Sequence, residues 1–174
     1  MEYPEEKKKR CCCFTGHRPE KLDFSEEEIK KRLYKEIQKA IESGITIFFT
    51  GMARGTDLWA GQMVLKCKKR DPEIKLVCVV PYPEFEKGWK ESWQLQYRDI
   101  IENSDYKVLV SRTYHPGCFQ KRNRWMVDHA GLVIAAYNGH PGGTRNTLLY
   151  AEKKKVKVRN ILEEANLLPL DKLS

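Results

Sequence analysis

Three short stretches of this sequence carry residue types and spacings that could grip an anion. In GHPGGTRNTLLYAEKK (139–154), Gly142 and Gly143 precede a helical run in which Thr144, Asn146 and Thr147 offer side-chain hydrogen bonds. Glycines at a helix start let a phosphate approach the free backbone N–H groups, and the positive end of the helix dipole favours its charge. A tight turn alone would need only one glycine. In TGMARGTD (50–57), Gly51 and Gly55 bracket Arg54, and Thr56 and Asp57 read as a cap for the helix that follows. This is neither G-x-G-x-x-G nor a P-loop, since no GK[ST] follows. In TGHRP (15–19), Thr15 and Gly16 end an apolar run, and His17 and Arg18 then supply two donors. The planar fork of Arg18 suits a phosphate.

Two further loops add aromatic and basic side chains. PYPEFEKGWK (81–90) holds Tyr82, Phe85 and Trp89, of which Tyr82 and Trp89 are candidates to stack on a base. YHPGCFQKRNRWMVDHA (114–130) places Arg122, Asn123 and Arg124 after a Pro-Gly turn, with Asp128 a candidate partner for an arginine. The histidines show no ligand spacing and no CxxC pair occurs, so no metal site is predicted. Cys11, Cys12 and Cys13 are consecutive in a strand-like run, which predicts free thiols packed on alternate faces of a sheet in a reducing compartment.

These loops need a scaffold, and the pattern between them supplies one. Short apolar runs at 11–16, 45–51, 74–83, 106–111, 131–139 and 156–161 read as strands. Helical patterns at 25–44, 56–70, 89–104, 119–130 and 144–155 separate them. Ser25 caps the first of these helices and Gly44 ends it. Apolar strands alternating with helices predict a single Rossmann-like α/β domain over 11–161, with a mostly parallel sheet and helices on both faces. A charged segment at 1–10 precedes it, and a short helix or tail at 162–174 follows. In such sheets ligands bind at the carboxyl ends of the strands, near the point where strand order reverses.

Composition sets the outer limits. With 174 residues, 41% hydrophobic and 32% charged, the chain suits one globular core. No apolar run approaches a membrane span, and the charged N-terminus lacks an apolar leader core, which predicts a cytoplasmic protein without membrane partners. The net charge of +8 lies largely in KKKR (7–10) and KKKVKVR (153–159). A small anionic ligand accounts for that charge as well as nucleic acid does, because aromatic residues do not interleave regularly with the basic ones.

Taken in order, TGHRP, GMARGTD, RNRWMVD and GGTRNTLLYA resemble the SMF/DprA–LOG (SLOG) superfamily of Rossmann-like nucleotide-binding proteins, and its YpsA branch most of all. The resemblance covers roughly residues 11–160. GMARGTD is also similar to the loop of DprA, a branch that binds single-stranded DNA. The LOG branch hydrolyses the N-glycosidic bond of nucleoside monophosphates with an arginine and a glutamate. Arg122 matches that arginine, but Asn146 replaces a motif glycine and Tyr150 stands at the glutamate position. A tyrosine, with an ordinary pKa near about 10, is a poor carboxylate substitute at neutral pH.

The resemblance therefore implies a binder of a nucleotide or nucleotide-derived ligand, such as an ADP-ribose or NAD-like molecule, in a sensing or regulatory role with no further cofactor. Arg18, Arg54 and the 142–147 loop would hold phosphate, while Thr15, Gly51 and Asp57 would shape the ribose side. Two alternatives stay open: a LOG-like N-glycosidase using Arg122, and single-stranded DNA binding as in DprA. Released base would mark the first, and affinity that rises with strand length and falls with salt the second. Relatives that pair through helical faces imply a homodimer.

Overall fold

The computed structural model describes residues 3–163. Six strands form one sheet: β1 (Cys11–Gly16), β2 (Ile47–Thr50), β3 (Lys75–Val80), β4 (Tyr106–Leu109), β5 (Leu132–Ala136) and β6 (Lys157–Asn160). Six α-helices join them: α1 (Glu5–Lys8), α2 (Glu26–Glu42), α3 (Thr56–Arg70), α4 (Glu91–Asn103), α5 (Cys118–His129) and α6 (Gly143–Lys153). The strand order is β4-β3-β2-β1-β5-β6, and every pairing is parallel. The sequence predicts a mostly parallel sheet; the described sheet is parallel throughout. The 1–10 segment contains the four-residue α1, and the predicted tail at 162–174 falls almost wholly outside the described residues.

The elements follow from local chemistry. Ser25 accepts a hydrogen bond from the Glu28 N–H (3.1 Å), three glutamates fill the first turn of α2, and Gly44 at φ +104° ends it. Ile29, Leu33, Ile37 and Ala40 of α2 form its buried stripe. The strands alternate as period two demands: Cys12 and Phe14 join one core with Phe48, Leu76 and Ile134, whereas Cys11 and Cys13 join the other with Phe49, Val77 and Val133. Helices α2, α3 and α4 cover the first face, and α5 and α6 the second. All six cysteines are buried as free thiols. No helix among the described residues is long and apolar enough to cross a membrane.

Two strands stop earlier than their apolar runs. β3 ends at Val80 because Pro81 has no N–H to continue the ladder. β5 ends at Ala136 because Asn160 captures the next residue: its Oδ1 accepts the Tyr137 N–H (3.1 Å) and its Nδ2 donates to the Tyr137 carbonyl (2.8 Å). The chain builds the sheet outward from β1 to β4 and then returns through α5 to lay β5 on the opposite side of β1. The reversal opens a crevice at the carboxyl ends of β1 and β5.

The outer strand β4 is tied down by Asp105. Its carboxylate accepts from Lys68 Nζ (2.6 Å) and from the Leu76 N–H (2.9 Å), joining α3 and β3. Burial alone would raise its pKa, but these two donors, with Lys75, hold it below the ordinary value. A carboxyl whose folded pKa is depressed stabilises the fold above its unfolded pKa and loses that contribution as pH falls through the folded one. Asp105→Asn should thus cost about 1–3 kcal/mol in urea denaturation at pH 7. The difference from the parent protein should shrink between pH 5 and pH 3; a gap independent of pH would contradict the ionic role.

Candidate functional site

The crevice encloses about 320 Å³, and four chain segments converge on it. From the end of β1 and the loop after it come Thr15, Gly16, His17 and Arg18, with Lys21 from the single turn Pro19–Lys21 behind them. Ala53 and Asp57 enter from the loop after β2, Phe119, Arg122 and Asn123 from α5, and Gly142, Gly143 and Thr144 from the start of α6.

Contact between the first two loops fixes the rim. The Thr56 hydroxyl donates to the His17 carbonyl (3.1 Å), and a Cβ on Gly16 would sit 2.4 Å from Thr56 Oγ1. Gly55, at φ +88°, presses on Pro19, where a Cβ would meet Cδ at 2.7 Å. The expectation that Thr56 and Asp57 cap α3 is corrected here. Gly55 occupies the cap position, the Thr56 hydroxyl is spent on His17, and Asp57 Oδ2 turns back to accept the Ala53 N–H (3.2 Å). Both side chains brace loops against each other. Glycine at the cap position has no side chain with which to accept a helix N–H.

The floor is charged and buried. Arg122, only 4% exposed, donates through Nη1 to the Gly51 carbonyl and through Nε to Asn123 Oδ1 (2.7 Å). A Cβ on Gly51 would lie 2.7 Å from the guanidinium and 2.8 Å from Asp57 Oδ2, so both charged groups border the space this glycine leaves open. Burial pushes the Asp57 pKa up, against the pull of Arg122 and the Ala53 N–H. Burial also opposes the charge of Arg122, which Asp57 supports.

Above the floor the field is positive. Arg18, Lys21 and Arg122 face one carboxylate, Asp57, among the described lining residues. Gly142 takes φ +141°, and its missing Cβ would stand 3.8 Å from Lys21 Nζ. The first turn of α6 has no side-chain cap, which leaves its N–H groups turned outward. His17 is 4% exposed, its ring lies 5.5 Å from that of Tyr137, and its buried Nε2 has no hydrogen-bond partner among the described residues. Burial, with His140 and Lys21 nearby, holds its pKa below the ordinary histidine value and keeps the imidazole neutral at pH 7.

Other candidate residues lie outside the crevice. Arg54 pairs with Glu20 (3.0 Å) and borders a neighbouring cavity of about 160 Å³ lined by Tyr82, Phe85, Trp89 and Phe119. Arg18, Ala53 and Phe119 line both spaces. Asn146 and Thr147 face a groove between α5 and α6, where the Thr147 hydroxyl donates to the Gly143 carbonyl (2.9 Å). Asn123 belongs to both crevice and groove. Tyr150 is also in the groove, its hydroxyl donating to Asp128 Oδ1 (2.7 Å). Burial and that carboxylate push its pKa up to about 12. The expected Asp128–arginine pair is thus a tyrosine–carboxylate pair. Lys21 and Phe119 are lining residues that sequence reasoning missed. The signal for Lys21 was its place three residues after Arg18, on one turn.

The floor makes a steric prediction. Gly51→Ala should destabilise the protein by about 1–3 kcal/mol in urea unfolding, because the new Cβ must displace the guanidinium and the carboxylate beside it. Gly143→Ala, whose Cβ would meet nothing within 4 Å, should stay within about 0.5 kcal/mol of the parent. Equal effects at the two positions would contradict the packed floor.

Comparison with known proteins fits this architecture. The model of the YspA SLOG family matches residues 12–170. The SPbeta prophage-derived protein YoqJ of Bacillus subtilis (strain 168) is 36% identical over 118 residues, which is 61% of this chain and 69% of that one. A UPF0398 protein of Bacillus thuringiensis (strain Al Hakam) is 27% identical over 154 residues, 84% of each chain. Among solved structures, DprA of Streptococcus pneumoniae superposes with a TM-score of 0.59 at 22% identity, over 84% of this chain and 48% of DprA. DprA of Helicobacter pylori, whose structure concerns single-stranded DNA binding, superposes with a TM-score of 0.62 at 16% identity, over 90% of this chain and 66% of that one. At such identities the DprA likeness is one of fold, and this chain spans about half to two thirds of those chains. By the family match across residues 12–170, nearly all of its length, the chain belongs to the YspA SLOG family.

Proposed function

We propose that the crevice between β1 and β5 binds the phosphate of a nucleotide or nucleotide-derived ligand, and that the protein senses this ligand rather than consuming it. The observation that carries the reading is the convergence of Arg18, Lys21 and the uncapped start of α6 on one cavity at the strand-order reversal. Guanidinium, ammonium and helix N–H groups together form a phosphate site, and a neutral ligand would leave their charge unpaired. The neutral His17, with its unpartnered Nε2, offers one hydrogen bond to a ribose hydroxyl or phosphate oxygen. The aromatic cavity beside Arg18 has room for a planar base next to Tyr82 and Trp89.

Sensing is favoured over turnover by Tyr150. It stands where a LOG-type enzyme has its glutamate, it is uncharged at pH 7, and its hydroxyl is engaged by Asp128 in the groove rather than turned to the crevice. The relatives of DprA type supply a second context for a nucleotide site, since the Helicobacter pylori protein binds single-stranded DNA.

Gly143→Asp places a carboxylate where no neighbour obstructs it, at the start of α6. It should lower affinity for AMP, ADP, ADP-ribose and NAD at least about 10-fold by isothermal titration, through repulsion of phosphate, with the melting temperature nearly unchanged. Arg18→Ala should do the same. Unaltered affinity in both variants would overturn the site, and stoichiometric release of free base would overturn the sensing role.

A further inference from the structure

The aromatic cavity beside the crevice is one-sided in its hydrogen-bonding chemistry. It encloses about 160 Å³ and adjoins the crevice through Arg18, Ala53 and Phe119, which line both. A nucleotide whose phosphate lies by Arg18 and Lys21 can therefore extend its base into this second space. Its rings pack edge to face against one another, with centroids 5.9 Å apart for Tyr82–Phe85, 5.1 Å for Phe85–Trp89 and 5.9 Å for Tyr82–Phe119. They are thus a fixed wall that shapes a slot, and the choice of base falls to the polar groups.

Those polar groups are donors. Arg18, Arg54 and the Trp89 indole carry N–H groups and no acceptor, and the Tyr82 hydroxyl is the one lining side chain that can also accept. The neighbouring backbone carbonyls are already engaged. That of Ala53 accepts the Leu58 N–H (3.2 Å), that of Arg18 the Lys21 N–H (3.0 Å), and that of Trp89 the Gln94 amide (2.8 Å). Glu86, whose Oε2 is buried without a partner among the described residues, belongs to the same loop but does not line the cavity. Glu20 accepts from Arg54 Nη1 (3.0 Å), and no other hydrogen bond of this guanidinium occurs among the described residues. The Nε–Nη2 edge of the planar fork is therefore left for a ligand, while Glu20 holds the group in place.

That edge calls for two adjacent acceptors. O6 and N7 of a 6-oxopurine are such a pair, and arginine meets them with two parallel hydrogen bonds. Adenine carries its N6 amino group where guanine has O6, so donor would face donor. A pyrimidine offers O4 with no second acceptor beside it.

We infer that the cavity selects a 6-oxopurine, so that the ligand of the crevice is a guanine-type nucleotide with O6 and N7 on the Arg54 guanidinium. The inference rests on the nucleotide reading of the crevice and deepens it by naming the base. Arg54 then determines specificity instead of holding phosphate, and Glu20 positions it.

The test is isothermal titration of the parent protein and of Arg54→Ala with GMP, IMP, AMP, UMP, 7-deaza-GMP and ribose 5-phosphate. GMP and IMP share O6 and N7, and should bind the parent about 10- to 100-fold more tightly than AMP or UMP. The 7-deaza analogue lacks the N7 acceptor and should bind about 10-fold more weakly than GMP. In Arg54→Ala, GMP and AMP should have about equal affinity. Equal affinity of GMP and AMP for the parent would overturn the inference, while binding of ribose 5-phosphate would leave the crevice reading intact. A preference for AMP would overturn it too, and would give the base an acceptor such as Glu86. A loss by the same factor for GMP, AMP and ribose 5-phosphate in Arg54→Ala would overturn it by returning Arg54 to the phosphate. Failure of ribose 5-phosphate and every nucleotide to bind would overturn the crevice reading along with it. The 7-deaza-GMP comparison needs no variant, so it decides the matter even if Arg54→Ala does not fold.

Discussion

The site is organised around the buried guanidinium of Arg122. A charge that is 4% exposed must be met by fixed partners, and here they are the Gly51 carbonyl, the Asn123 side chain and the neighbouring Asp57. Those partners belong to the loop after β2, to α5 itself and to the first turn of α3. The guanidinium therefore sets the separation of three elements at the carboxyl edge of the sheet. Gly51 is the steric condition for the arrangement, since any side chain there would occupy the space of the two charged groups. Losing the guanidinium would strand Asp57 in the same low-dielectric floor, so the pair is a packing constraint as much as an electrostatic one.

What the floor supports is selectivity for anions. Arg18 and Lys21 lie at the rim with the uncapped start of α6, and the α5 and α6 helices that cover the sheet also carry cations outward from it. Of the three cations in the crevice only Arg122 is buried, so its charge is shielded by water less than those of the exposed Arg18 and Lys21. Of the carboxylates nearby, Glu20 is paired with Arg54, which leaves Asp57 as the one acidic side chain among the described lining residues of the crevice. The small aromatic cavity opens beside Arg18, so charge and ring surface are offered to one ligand from adjoining walls.

Much of the scaffold was legible in the sequence because the relevant physics is local. Apolar strands, the Ser25 cap and the glycine that ends α2 follow from periodicity and backbone conformation. The loops were legible too, since Gly16, Gly55 and Gly142 stand where the chain must turn sharply or approach another segment. The partners of the side chains were not. That Asp57 turns back to Ala53 instead of capping α3, that Arg54 is engaged by Glu20, and that Thr147 and Asn146 face the α5–α6 groove all depend on how distant loops meet. Lys21 reaches Gly142 across more than a hundred residues of sequence, a juxtaposition that only the β1–β5 pairing creates. Asn160 likewise ends β5 from a strand that follows it in the chain.

The central claim is that the crevice holds a phosphorylated nucleotide without cleaving it. Native mass spectrometry of the protein, purified and then incubated with a mixture of nucleotides, followed by denaturing release of whatever is retained, tests it most directly. The account predicts a protein–ligand mass that releases an intact phosphorylated nucleotide or nucleotide derivative. Release of free base with ribose phosphate, or a protein that remains bare throughout, would contradict it.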